Sequence, residues 1–433
     1  MILSIKGHDA MTSVVNKGRR TLVIRISNDT SKMGAILFPL FNALSFISAF
    51  LFNIRAGALA GILIFIYVIF HRSCLACFKD SAFTIFYVTN VLSVYAYIFN
   101  DRPIIIFLSC ITYNLFPMLM YGIGRASTSG ERNNPVFKAL LFSNLVIVVI
   151  GFLIYFIPAL ASRVGMDSMI TAGISSSGKG YRFGSYLGSL ELGSICAISV
   201  PLLLMYNFQH KLIKPAMLIT FATALLLTMQ RGAWIVGIVG FFTCMIISSI
   251  LDKEGLKPLI LYSLLLMGLV FVLVFFMDHY MSAGLLQHLE IRIHGLNIDS
   301  MSSGRAEQAS NAFSLFCEYP LGFGLGAAGN KASTYHLQVI PDGNLLRILV
   351  ETGIIGISSF AIMNIRAIKK GIQNRYYFMT VIICLFLAHS IGSNVLDFYY
   401  GSFIYWYILG YLNRPNDCFV NESIIMEKSP RPL

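Results

Sequence analysis

Three arginines and one aspartate in this chain form the set that a transfer reaction on a diphosphate would use. Arg182 lies in KGYRFGSYLGSLELG, Arg231 in LLLTMQRGAWIVGIV, Arg305 in SGRAEQASNAFSLFCEY, and Asp342 opens DGNLLRILVETGIIG. A guanidinium presents a planar fork of donors that grips phosphate oxygens in bidentate fashion. A carboxylate beside a hydroxyl takes its proton as a general base. Gln230, Asn344, His336 and the backbone at Gly324 are the neighbours expected to line the same substrate. No phosphate-binding GxxxxGK[ST] loop, HExxH pair or paired Cys/His set accompanies them, so no metal and no cofactor is expected. The CxxC of Cys74 and Cys77 has no second ligand pair and reads as two structural thiols.

The elements that must hold these residues are membrane helices. The 433 residues are 56% hydrophobic and 12% charged, about half the charge of a soluble domain. The run from Ala139 to Ile157 carries no charge and can cross about 30 Å of hydrocarbon. No alternating ten-residue segments recur, which argues against a β-barrel. The expected fold is all-α and polytopic, with about twelve spans. They fall at 34–52, 56–71, 82–99, 103–123, 138–160, 188–206, 214–230, 232–250, 258–277, 343–365, 376–396 and 399–413.

The net charge of +12 does not imply nucleic acid. With both termini in the cytoplasm, about two thirds of the Lys and Arg residues fall at inner segments, as the positive-inside rule requires. The N-terminus reads as a basic tail rather than a cleavable signal. The chain then divides into a cytoplasmic tail (1–33), spans one to nine (34–277), a large outer loop (278–342), spans ten to twelve (343–413) and a second tail (414–433). Arg182, Arg231, Arg305 and Asp342 all belong to the outer side.

Within the large loop, Ala309, Ala312, Phe313 and Phe316 recur at helical spacing. Ser303 is the expected cap and Pro320 the stop, which puts Arg305 in the first turn, where the helix dipole favours an anion. Gly322, Gly324 and Gly326 follow no strand, so a dinucleotide loop is rejected in favour of a tight turn with close backbone approach. Plainer readings stand beside these. Asp342 or Asn344 suits a helix N-cap, Arg347 and Glu351 suit an i,i+4 pair, and Arg182 and Glu191 suit helix-end charges. Arg231 is flanked by apolar sequence on both sides, and a charge at that depth faces a cavity or a partner.

The order and common sidedness of RFGSYLG, QRGAW, SGRAEQA, YPLGFGLG and DGNLLRILVETGIIG resemble the bacterial O-antigen ligase and O-antigen polymerase superfamily over roughly residues 180 to 360. Ligases of that superfamily carry a His followed by Asn, Ser or Gln, then nine residues, then Gly-x-x-Gly. Here Gly353 and Gly356 fit the glycines, but Asp342 and Gly343 stand where the His pair would be. The resemblance therefore favours a polymerase over a ligase, with His336, six residues before Asp342, as the alternative base. It implies a GT-C-like fold in the bacterial inner membrane with a periplasmic active site. It further implies undecaprenyl-diphosphate-linked donor and acceptor glycans, surrounding membrane lipids and a chain-length regulator as partners. A transporter of lipid-linked oligosaccharide is the rival from another class, but it would show internal repeats and midplane sites.

Overall fold

The computed structural model describes residues 30–52, 57–131, 134–164, 183–206, 212–251, 298–329 and 342–415, with a few single positions between them. Among the described residues the chain is helical, with one isolated bridge, Ser185 to Gly188, and no strand. The helices are α1 (Thr30–Phe52), α2 (Gly57–Phe70), α3 (Arg72–Leu75), α4 (Ser81–Leu92), α5 (Val94–Phe99), α6 (Ile104–Cys110), α7 (Phe116–Met118), α8 (Met120–Arg125), α9 (Pro135–Phe156) and α10 (Pro158–Arg163). They continue as α11 (Ser189–Met205), α12 (Ile213–Leu227), α13 (Arg231–Leu251), α14 (Ile298–Glu318), α15 (Asn344–Gln373), α16 (Tyr377–Gly392) and α17 (Tyr399–Leu412). Apart from α3 and α14, these helices overlap the expected stretches in order; 258–277 lies outside the described residues except for Gly268.

Among the described residues, six helical stretches are by length and composition apolar enough to cross a membrane: Gly34–Phe52, Ser81–Phe99, Ile104–Arg125, Pro135–Phe156, Arg231–Ile250 and Asn344–Gln373. A seventh is a pair bent by 94°, Leu59–Phe70 with Arg72–Lys79. The helices α11, α12 and α16 are apolar but shorter.

Burial follows from composition. Every residue of α17 is buried, and in α11 only Leu190 is exposed. A helix apolar on all sides belongs at the centre of a bundle. The aromatic rings of α17 pack there against Phe38, Phe41, Phe83 and Phe137. On α13 the exposed large apolar residues are Ile235, Ile238, Val239, Phe242, Ile246 and Ile250, one stripe at helical spacing. An apolar stripe left outside is what a lipid-facing helix presents.

The two ends of the bundle differ. One end gathers Lys and Arg around Asp80, the N-cap of α4. Its carboxylate accepts from the Ala82 amide at 3.2 Å, Tyr121 at 2.7 Å, Arg125 at 2.6 Å and Arg366 at 2.9 Å. Burial raises the Asp80 carboxyl, but the Tyr121 hydrogen bond and the two guanidinium charges outweigh it and hold it below its ordinary value. Nearby, the fully buried Arg414 donates to the carbonyls of Ser127 at 2.9 Å and Ser129 at 3.1 Å and lies over the Tyr411 ring. The opposite end holds Gln230, Arg231, Asp342 and their neighbours.

Candidate functional site

The site is built on the start of α15. Gly343 occupies the N-cap position at φ +104°, and no side chain caps the helix. Asp342 is exposed just before it, so the plain reading of Asp342 or Asn344 as a side-chain cap is not what forms. Gly343 is needed there because an added Cβ would stand 2.9 Å from the Ile391 carbonyl oxygen. Asn344 points inward and is fully buried. Its backbone N–H donates to the Ser393 carbonyl at 3.3 Å and its Nδ2 to Asp397 at 2.9 Å, while its Oδ1 accepts from the Leu396 amide at 2.8 Å. Asn344 thus ties α15 to the turn between α16 and α17.

One helical turn on, Arg347 pairs with Glu351 at 3.3 Å, the expected i,i+4 contact. Arg347 also pairs with Asp397, more than forty residues away in sequence. Arg347 and Glu351 are both buried, so each charge requires the other.

The loop PLGFGLG is sewn into α15. Gly353 lies inside that helix at φ +64°, ψ −164°, which breaks it. The break leaves backbone groups without helical partners, and the loop supplies them. Phe323 donates to the Val350 carbonyl at 2.7 Å and Gly324 to that of Glu351 at 3.1 Å, while Ile354 donates to the Pro320 carbonyl at 3.0 Å. The other side of the loop rests on α4 and α5: Tyr97 donates to the Leu325 carbonyl at 2.5 Å, and Ser93 Oγ accepts from the Leu325 amide at 3.0 Å. Arg102 lies 3.5 Å over the Phe323 ring. The close backbone approach expected at Gly324 is therefore to the protein itself: an added Cβ would meet Tyr97 at 2.9 Å.

On the facing side, Arg231 begins α13 and is partly exposed. Gln230, before it, is buried and places its Nε2 3.3 Å from His389 Nε2 and 3.5 Å from Ser393 Oγ. Gly232, after it, packs on the His389 ring. Arg231 and Asp342 thus flank the same feature, the C-terminal end of α16. Phe183, next to Arg182, donates to the Leu227 carbonyl at the end of α12, which anchors the RFGSYLG loop close to the Arg231 turn. Arg182 and His336 themselves lie outside the described residues.

Residues 216–361, about a third of the chain, match the family model described as O-Antigen ligase. Over that segment the chain is similar to the O-antigen ligase family. No curated protein matches the chain. The superfamily segment runs from α12 through the first part of α15, so it contains Arg231, Arg305 and Asp342.

The expected position of Arg305 needs correction. The helix begins at Ile298, not Ser303, so Arg305 stands about two turns inside it, away from the N-terminal dipole. The expected stripe shifts as well: Ala312 and Leu315 are buried while Phe313 is exposed. Glu191 has a structural partner, accepting from the Tyr400 amide at 2.9 Å in the first turn of α17. The residues that sequence reasoning missed are His389, Ser393 and Asp397. Each lies on the segment after the superfamily match, in a stretch whose apolar composition reads only as a span.

Proposed function

We propose that this protein is a polymerase of lipid-linked surface glycans, with a GT-C-like arrangement of twelve spans in the bacterial inner membrane. Both termini are cytoplasmic, and the end carrying Arg231 and Asp342 faces the periplasm. The concentration of cations around Asp80 at the other end supports that orientation. The observation that carries the reading is the placement of Arg231 and Asp342 on either side of the C-terminal end of α16, at the end of the bundle opposite the basic one.

The donor is the growing glycan on undecaprenyl diphosphate and the acceptor a single lipid-linked repeat unit. Arg231, with Arg305 and Arg182, holds the donor diphosphate and stabilises its charge as it leaves. Asp342 takes the proton of the acceptor hydroxyl while that oxygen attacks the anomeric carbon. The bond from that carbon to the diphosphate oxygen breaks and its electron pair leaves with the diphosphate. A diphosphate leaves readily as an anion, so the reaction runs without a metal or a general acid. Gln230 and Asn344 act through the frame around the site, and a chain-length regulator acts as partner.

A ligase transferring finished polymer to lipid A-core is the second reading, favoured by the match to the O-antigen ligase family. The two readings separate in a deletion strain. A polymerase defect leaves core capped by one repeat, whereas a ligase defect leaves bare core while lipid-linked polymer accumulates. The wild-type gene is expected to restore a lipopolysaccharide ladder, and Asp342→Asn and Arg231→Ala at matched expression are not. A full ladder with Asp342→Asn removes Asp342 as the base and leaves His336.

A further inference from the structure

The turn that presents Arg231 is held in a conformation it would not adopt alone. Met229 has φ +53°, a left-handed backbone at a residue that is not glycine. Such a residue persists only where its surroundings over-determine it. Here the determinant is the Gln230 side chain, which lies against two helices. On α11, Gly193 makes room for it: an added Cβ would stand 2.3 Å from Gln230 Oε1. On α16, His389 Nε2 lies 3.3 Å from Gln230 Nε2, and just past the end of that helix Ser393 Oγ lies 3.5 Å from it. Gln230 Nε2 donates to His389 Nε2 in the tautomer that leaves that nitrogen unprotonated, while Gln230 Oε1 has no hydrogen-bond partner. The backbone follows the side chain. The Gln230 carbonyl accepts from the Trp234 amide at 3.0 Å, which fixes the first turn of α13 and so the origin of the Arg231 side chain.

We propose that His389 is a positioning residue: with Ser393 it clasps Gln230 and so holds Arg231 where it meets the diphosphate. This rests on the reading of Arg231 as a diphosphate ligand. His389 is an imidazole buried on an otherwise apolar helix, with a cost unless its polar atoms are used. The clasp is that use for Nε2, while Nδ1 has no hydrogen-bond partner. An apolar ring of similar size would fill the same space without holding the amide.

The test uses the full chain in lipid nanodiscs and farnesyl diphosphate as probe, with unfolding midpoints measured in parallel. Arg231→Ala is expected to weaken binding at least about tenfold. His389→Phe keeps volume, removes the clasp, and is expected to weaken binding by about the same factor with the unfolding midpoint near wild type. His389→Gln offers an amide where Nε2 stood and is expected to stay within about threefold of wild type. Gly193→Ala reaches the clasp from the opposite side without touching His389, and is expected to match His389→Phe. It carries the test if His389→Phe does not fold. Wild-type binding by both His389→Phe and Gly193→Ala, with Arg231→Ala impaired, overturns the role of the clasp. Wild-type binding by Arg231→Ala overturns the diphosphate reading, and the proposal for His389 with it.

Discussion

Arg347 shows how the charges near the site are made tolerable. It is buried between Glu351 on its own helix and Asp397 on the turn before α17. Removing the cation strands a buried carboxylate, so Arg347→Met is expected to destabilise the protein by about 3 kcal/mol. Replacing both members, Arg347→Met with Glu351→Leu, is expected to recover most of that loss. Chemical unfolding of the purified protein in detergent reads both. If the double variant is as unstable as the single one, the pair does more than neutralise charge. The sequence shows half of this arrangement, since a four-residue spacing on a helix makes Arg347 and Glu351 neighbours. It does not show Asp397, because nothing local says which turn a residue of α15 will touch. The same applies to His389: a lone histidine in an apolar run has no visible partner until α13 and α16 are packed.

At the scale of elements, hydropathy located the helices but not their breaks. A window long enough to detect a span averages over Ser93, over the π-turn Ile111–Leu115, and over Gly353. The glycines of PLGFGLG and ETGIIG are visible as glycines, yet only the fold shows that one set fills the break in the other. Gly353 can take no side chain, because its backbone is left-handed and an added Cβ would lie 2.4 Å from the Pro320 carbonyl oxygen. Gly353→Ala is therefore expected to cost more than about 2 kcal/mol and to release the loop from α15. Limited proteolysis in the segment between α14 and α15 should accelerate in this variant. An unchanged cleavage pattern would mean that the contacts with Ser93 and Tyr97 hold the loop alone.

For the whole molecule, the most legible property was polarity. Counting Lys and Arg along the chain predicts one basic end, and among the described residues Arg125 and Arg366 meet at Asp80. Arg347 and Arg366 are nineteen residues apart on one helix, at most about 28 Å at 1.5 Å per residue, which is close to a bilayer core. Asp80 gives this end a pH dependence. Its folded carboxyl sits below the ordinary 3.8, so it binds a proton less readily than the unfolded chain does. Its contribution is present in full above the unfolded value and is lost as pH falls through the folded one. Thermal stability should thus decline on strong acidification, and Asp80→Asn should already be about 3 kcal/mol less stable at pH 7, with a flatter acid limb. Equal acid sensitivity in the two forms would assign that limb to other carboxylates.

The break at Gly353 also sets an order of assembly. The ribosome delivers Ser93 and Tyr97 first, Pro320 to Gly326 next, and the halves of α15 last. As it emerges, the glycine loop has the older wall, α4 to α6 with Arg102 between them, to rest on. The second wall arrives when Val350, Glu351 and Ile354 leave the ribosome and close over it. A nascent chain stopped just before Asn344 would hold its glycine loop without the contacts from α15. The frame around Asp342 is therefore completed late in synthesis, once α16 and α17 have brought Ser393 and Asp397 to Asn344.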